Sequence, residues 1–342
     1  LMQDQVSALK ENGVPAEYLN SSLEFSEYLE TVKNLKNGEI KLVYVSPEGL
    51  ASNKMMNIFH ECSVPINCIT IDEAHCVSEW GHDFRPDYLS ISNVRRHFPN
   101  AVCLALTATA TASVQQDIIK NLQLYNPTVF TASFNRKNIF LEVKPKKNAI
   151  SQVIECIEKH KDESGIIYCF SRKSVDELTQ KLQDEGYSVL NYHAGLSDKQ
   201  RTENQNLFIK DKVRIIVATV AFGMGINKPN VRFVIHYDMA KSLEEYYQEI
   251  GRAGRDGLES HALLLYSPAD IHKIRFFFNE AADPEKSEYL LQGMINYAKS
   301  RTCRRRALLS YFGEEFSDAS TSPDECCDIC AAGPIELTDV TI

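Results

Sequence analysis

The residue pair best suited to chemistry is Asp72 and Glu73, at the head of Asp72-Glu73-Ala74-His75. It directly follows residues 67–71, an apolar run that reads as a strand. In a parallel sheet the C-terminal strand ends form the ligand edge. There one carboxylate can hold Mg²⁺, usually through water, while the next takes a proton from a water attacking a γ-phosphate. An ordinary strand-end turn with exposed acids is the alternative. Thr107-Ala108-Thr109-Ala110 follows another such run. Its hydroxyls could link a phosphate site to a neighbouring groove, although the pattern alone reads more simply as a helix N-cap.

Further on, Gln248 precedes Gly251-Arg252-Ala253-Gly254-Arg255. Two arginines three apart at a helix start share a face. Guanidinium groups stay charged and bind phosphate oxygens in pairs, so an arginine offered across a domain cleft could act as an arginine finger. Surface salt bridging is the simpler alternative. The run ATVAFGMGIN (218–227), with Gly223 and Gly225, reads as a loop that could meet a DNA backbone or a ribose.

Between Cys76 and Tyr88 the chain reads VSEWGHDFRPD, with Trp80, His82, Phe84 and Arg85. Aromatics interleaved with Arg and His suit a loop that stacks on bases and touches phosphates. A packing loop built on Trp80 and Phe84 would share that composition. Near the end, Cys303 is followed by Cys326, Cys327 and Cys330. Four thiolates of this kind suit tetrahedral Zn²⁺. Adjacent cysteines are unusual ligands, so Cys326 is the expected fourth donor and Asp324 its competitor.

The elements needed to position these residues are legible as alternation. Apolar β-branched runs at 41–45, 67–71, 102–106, 165–170, 188–192, 213–218, 232–237 and 262–266 read as strands, most of them apolar on both faces. Helical periods lie between them, at Ile150, Val153, Ile154 and Ile157, and at Val175, Leu178 and Leu182 behind Ser171 as a cap. This is an α/β pattern with mostly parallel sheets. The polar and basic segment 131–147 reads as a linker between two such domains, and after Pro268 the chain turns helical.

The 342 residues suffice for two domains and a small third. The net charge of −9 argues against a nucleic-acid partner taken whole, although a strand-gripping groove can sit in an acidic protein. Arg301, Arg304, Arg305 and Arg306 form the densest basic cluster, either a solvated helix face or part of such a groove. No apolar run is long enough to span a membrane. The other six of the ten cysteines are scattered, which suits a reducing compartment.

Together the motifs resemble the RecQ helicase family of superfamily 2. The matching words are LMQDQV (1–6), LVYVSPE (42–48), IDEAHCVSEWGHDFRPDY (71–88), LALTATA (104–110), IIYCFSRK (166–173), YHAGLS (192–197), ATVAFGMGINK (218–228), YYQEIGRAGRDG (246–257) and CRRRALLSYFGE (303–314). ECCDIC looks closer to the Werner-type branch than to the common bacterial spacing. The resemblance implies two RecA-like domains, 1–133 and 134–268, and a small helical zinc-binding subdomain at 269–342. It implies an ATP-dependent 3′-to-5′ DNA helicase of recombination, repair and replication, using ATP, Mg²⁺ and Zn²⁺. Asp72 would be the metal-binding acid and Glu73 the base. Arg255 would be the finger, supported by Arg252, with Gln248, Gly225 and His75 at the nucleotide. Trp80, His82, Phe84, Arg85, Thr107, Thr109, Ser171 and Arg172 would serve DNA. The expected location is the nucleus for a Werner-type protein and otherwise the cytoplasm or nucleoid.

One family motif has no match. No Gly-Lys-Ser/Thr occurs anywhere, so the phosphate-cradling loop is missing and the first domain reads as truncated. On this reading the chain alone hydrolyses ATP negligibly. A non-catalytic DNA-binding or partner-docking relative is the competing function; the intact Asp72, Glu73, Arg252 and Arg255 weigh against it.

Overall fold

The computed structural model describes residues 2–20, 23–50, 52–223, 226–278, 283–316 and 326–333. The chain divides into two compact units, Leu1–Thr131 and Ala132–Ile342.

In the first unit, β1 (Ala16–Leu19) pairs in parallel with β2 (Leu42–Val45), and β3 (Cys68–Ile71) with β4 (Val102–Ala105). Helices α1 (Met2–Glu11), α2 (Phe25–Lys36), α3 (Pro47–Leu50), α4 (Asn53–His60), α5 (Ile91–His97) and α6 (Ala112–Asn121) lie before, between and after them. Ile71 packs with Ala74, Val77, Ile91, Val114 and Ile118 on one side of the β3–β4 pair. The other side is open. Val102 is 61% exposed, and Leu104 and Leu106 are also exposed, alongside Cys68. The expectation of strands covered on both faces therefore fails here, although the strands themselves form where expected.

In the second unit that expectation holds. Six parallel strands run in the order β5-β10-β9-β6-β8-β7. They are β5 (Ile139–Pro145), β6 (Ser164–Tyr168), β7 (Val189–Tyr192), β8 (Ile215–Ala218), β9 (Val231–His236) and β10 (Ser260–Tyr266). Successive side chains on a strand point to opposite faces. Accordingly Ile166, Ile216, Val234 and Leu264 enter one core, while Ile167, Val217, Ile235 and Leu265 enter the other. The second core is closed by α7 (Ala149–Lys159) and α8 (Arg172–Asp184) through Val153, Ile157, Val175, Leu178 and Leu182. Gly165 is obligatory at its place in β6, because a Cβ would lie 2.0 Å from the Phe233 ring.

The connection between β7 and β8 is α9 (Asp198–Ile209), and α10 (Leu243–Ile250) lies between β9 and β10. Helices α11 (Pro268–Phe278), α12 (Pro284–Lys299), α13 (Arg304–Tyr311) and the one-turn α14 (Asp328–Ala331) follow among the described residues. Leu291, Met294, Leu308, Phe312, Cys326 and Cys327 belong to the same core as Ile166 and Leu264, so these helices share the sheet's hydrophobic core.

Two strands escape the sequence reading. β1 is only Ala-Glu-Tyr-Leu, too short to carry a pattern. β5 lies inside the segment read as a linker. Its alternation of Ile139 and Leu141 with Phe140 and Glu142 is that of an edge strand, half buried and half polar.

Candidate functional site

The acid pair stands where β3 ends. Backbone pairing continues past the strands, with Leu106 N–H donating to Ile71 O and Ala74 N–H to Leu106 O, each at 2.8 Å. The chain turns sharply between these bonds. Glu73 adopts φ 50° and ψ 43°, the left-handed region, and begins a 3-10 turn over Ala74–Val77. Such strain in a non-glycine residue marks sites where side-chain direction matters. Asp72 accepts the Glu73 N–H at 2.9 Å.

His75 ties this turn to its neighbours. It is 2% exposed; its Nδ1 lies 2.9 Å from Thr107 Oγ1 and 3.4 Å from Glu73 Oε2. Its ring stacks on His82 with centroids 4.6 Å apart. Burial, then the nearby His82, pushes its pKa down to about 3, so the ring is neutral near pH 7. Thr107 Oγ1 also accepts the Thr109 N–H at 3.2 Å. The N-cap reading of this threonine run is thus corrected: Thr111 stands at the N-cap position of α6 without a side-chain cap bond, and Thr107 serves His75 instead. Glu73, His75, Thr107, Thr109 and His82 form one connected group at the ends of β3 and β4.

The aromatic loop projects from that group. Trp80 is 59% exposed, which excludes the packing role for it, and Phe84 is half-buried. The loop's base is fixed. Ser78 Oγ donates to Asp117 at 2.6 Å, Arg85 N–H donates to Cys76 O at 3.0 Å, and the Arg85 guanidinium holds Asp83 at 2.6 Å. Gly81 passes so close to the His75 carbonyl that a Cβ would lie 2.6 Å from it.

In the second unit the arginines lie just past the end of α10, in a run of turns, rather than at a helix start. They also differ in setting. Arg252 is buried, with its guanidinium beside Gly223, whereas Arg255 is exposed and donates to Ile226 O at 3.0 Å. Gly254 has φ +56°, and a Cβ there would meet Asn138 Nδ2 at 2.3 Å and Leu258 O at 2.7 Å. Gln248 is half-buried on α10. Ser171 caps α8 by accepting the Ser174 N–H at 3.0 Å, as expected, and Arg172 is exposed at its first turn beside Gly195. Gly225 and Asp324 lie outside the described residues.

Two residues that position the arginine turn were missed because they sit in the supposed linker. Arg136 donates to the carbonyls of Gly251, Ala253 and Gly254 at 3.0, 2.7 and 2.9 Å. Asn138 donates to Gly254 O and Leu258 O, each at 2.8 Å. The usable signal was Asn135-Arg136-Lys137-Asn138, four polar residues directly before an alternating run.

The C-terminal cysteines converge. Cys303 precedes α13, Cys326 and Cys327 precede α14, and Cys330 lies within it. Their sulfurs all lie within 4.8 Å of one another, with Cys303–Cys326 at 3.5 Å and Cys303–Cys327 at 3.9 Å. Tetrahedral zinc with bonds of ~2.3 Å needs sulfurs ~3.8 Å apart, so the set fits the ion. Arg304 N–H donates to Cys327 Sγ and Arg305 Nε to Cys326 Sγ, at 3.3 and 3.4 Å. Such donors stabilise thiolates. The solvated-face reading of the arginine cluster fails for Arg304 and Arg305, which are both buried. Arg304 pairs with Asp328 at 3.0 Å.

Known proteins carry the same parts in the same order. Residues 1–118 match the DEAD/DEAH box helicase model and residues 146–257 the helicase conserved C-terminal domain. These two matches define the class, a helicase chain of RecA-like α/β units. Residues 268–331 match the RecQ zinc-binding model. The ATP-dependent DNA helicase RecQ of Pasteurella multocida (strain Pm70) is 44% identical over 337 residues, covering 98% of this chain and 52% of that protein. The RecQ-like DNA helicase BLM of Xenopus laevis is 43% identical over 355 residues, covering 96% of this chain and 26% of that protein. The chain belongs to the RecQ family of helicases. It spans about half the length of the bacterial relatives it matches. Among solved structures, the helicase MrfA bound to DNA and AMPPNP shares the fold, with a TM-score of 0.63, 19% identity, and coverage of 93% of this chain and 48% of that one. No helix among the described residues is long and apolar enough to cross a membrane.

Proposed function

We propose that this chain forms the motor of an ATP-dependent DNA helicase that moves 3′ to 5′ and opens duplex or structured DNA in recombination, repair and replication. The observation that carries this reading is the connection from Glu73 through neutral His75 to Thr107 and His82, which joins a phosphate-type acid pair to the loop bearing exposed Trp80.

Asp72 would hold Mg²⁺, which when bound screens phosphate charge and orients the nucleotide. Glu73 would accept the proton of the attacking water. Arg255, with Arg252 and Gln248, would stabilise charge growing on the γ-phosphate. Trp80 and Phe84 would stack on bases, and Arg85, Arg172 and Ser171 would meet the strand. Thr107 and Thr109 would relay strand contact to the acid pair through His75. Cys303, Cys326, Cys327 and Cys330 would hold Zn²⁺ as a structural ion, which contributes folding energy. The working location follows the substrate, the nucleus in a eukaryotic cell and the nucleoid in a bacterial one.

Strand separation by the full-length gene product, on duplexes with a 3′ or a 5′ single-stranded tail, tests the reading. ATP-dependent opening of the 3′-tailed duplex alone is expected. Equal opening of both would contradict the polarity. DNA binding without opening of either would favour the non-catalytic relative.

A further inference from the structure

A second group of metal-type donors lies in the second unit, outside everything described above. Cys156 and His160 are four residues apart at the C-terminal end of α7, and so share a helix face. His261 stands near the start of β10. One ligand atom from each lies within 4.8 Å of the others. Cys156 Sγ is 3.7 Å from His261 Nδ1, and His160 Nε2 is 3.4 Å from the same nitrogen. Zinc bonds of ~2.3 Å to sulfur and ~2.0–2.1 Å to nitrogen, at tetrahedral angles, require ~3.5 Å between S and N and ~3.3 Å between two N.

The outer hydrogen bonds decide what these atoms can do. His160 Nδ1 lies 2.8 Å from Glu163 Oε2, and His261 Nε2 lies 2.9 Å from Glu142 Oε2. A carboxylate only accepts, so each outer nitrogen carries the ring's proton. The inner nitrogens, His160 Nε2 and His261 Nδ1, face each other, and whenever both rings carry only that outer proton both inner atoms are lone pairs. The lone thiol proton of Cys156 can satisfy one of them and not both. A carboxylate behind each histidine is also the usual arrangement around ligating imidazoles, since it fixes the tautomer and raises basicity. Cys156 is buried, while His160 and His261 retain partial exposure, which leaves a path for an ion.

We propose that Cys156, His160 and His261 bind a zinc ion, with water at the fourth position. The ion would fasten the end of α7 to β10 and, through Glu142, to β5 at the edge of the six-stranded sheet.

Zinc content tests this directly. The full-length protein is dialysed to equilibrium against Zn²⁺ alone, and bound metal is measured by atomic emission. His261→Ala and Cys156→Ser should each hold one zinc fewer per chain than the wild type. Combined with Cys327→Ser, either should lose two. Zn²⁺ should raise the melting temperature of Cys327→Ser, and His261→Ala should abolish that rise in the combined variant. Should His261→Ala fail to fold, Cys156→Ser, a change of one atom, gives the same readout. Unchanged zinc content in both variants overturns the site. Loss of zinc in Cys327→Ser alone would leave the cysteine cluster standing without this second ion.

Discussion

Arg305 donates through Nη1 to the backbone carbonyl of Arg136 at 2.6 Å, and Arg136 spends its own guanidinium on the arginine turn. Arg305 also touches Cys326, at both Sγ and O. A continuous set of charge-assisted hydrogen bonds therefore runs from the cysteine cluster to Gly251–Gly254. Fixed donors of this kind hold a backbone turn in one geometry, which a phosphate-binding arginine needs.

Arg136→Ala should unfasten that turn. Hydrogen bonds to charged groups contribute about 1.5–3 kcal/mol each, and water can replace part of what is lost, so a destabilisation of about 2–4 kcal/mol is expected. Urea denaturation measures it. Arg136→Lys keeps the charge without the fork and should recover only part of the loss.

Cys327→Ser should remove one zinc per chain and lower the soluble yield, because the cysteine cluster is part of the core shared with the sheet. Atomic emission on the purified variant checks it. Unchanged zinc would refute the cluster as a metal site.

Acid should weaken the first unit through His75. Burial holds its folded pKa at about 3, whereas in the unfolded chain the ring titrates near its ordinary value of 6.5. Between those values the unfolded state binds the extra proton, so stability rises with pH through this window and falls as pH drops from 6.5 towards 3. Trp80, the chain's lone tryptophan, reports unfolding of this unit. His75→Gln should reduce the pH slope of its urea midpoint by up to about one proton; an unchanged slope would show that His75 does not titrate in this way.

Most of the fold was legible because parallel strands covered by helices are written as continuous apolar runs. Residues 165–170 and 213–218 needed no partner information to be recognised. The edge strand β5 was hidden by its polar face, and Arg136 and Asn138 were hidden with it, since a polar stretch before an edge strand resembles a linker. The acid pair was legible from its place after a strand. What joins it to the aromatic loop was not. Thr107 reads as a helix cap until the tertiary fold brings it to His75, 32 residues away in sequence. The cysteine spacing pointed to the metal cluster, but burial of Arg304 and Arg305 depends on carbonyls that only the folded chain supplies.

In the proposed motor Glu73, held at a left-handed turn beside His75, would remove a proton during ATP hydrolysis. DNA-stimulated ATP turnover by Glu73→Gln in the full-length gene product tests it most directly. A general base contributes roughly 10²- to 10⁴-fold, so turnover should fall by at least about 100-fold while ATP and DNA binding persist. Turnover within about twofold of the wild type would exclude Glu73 as the base.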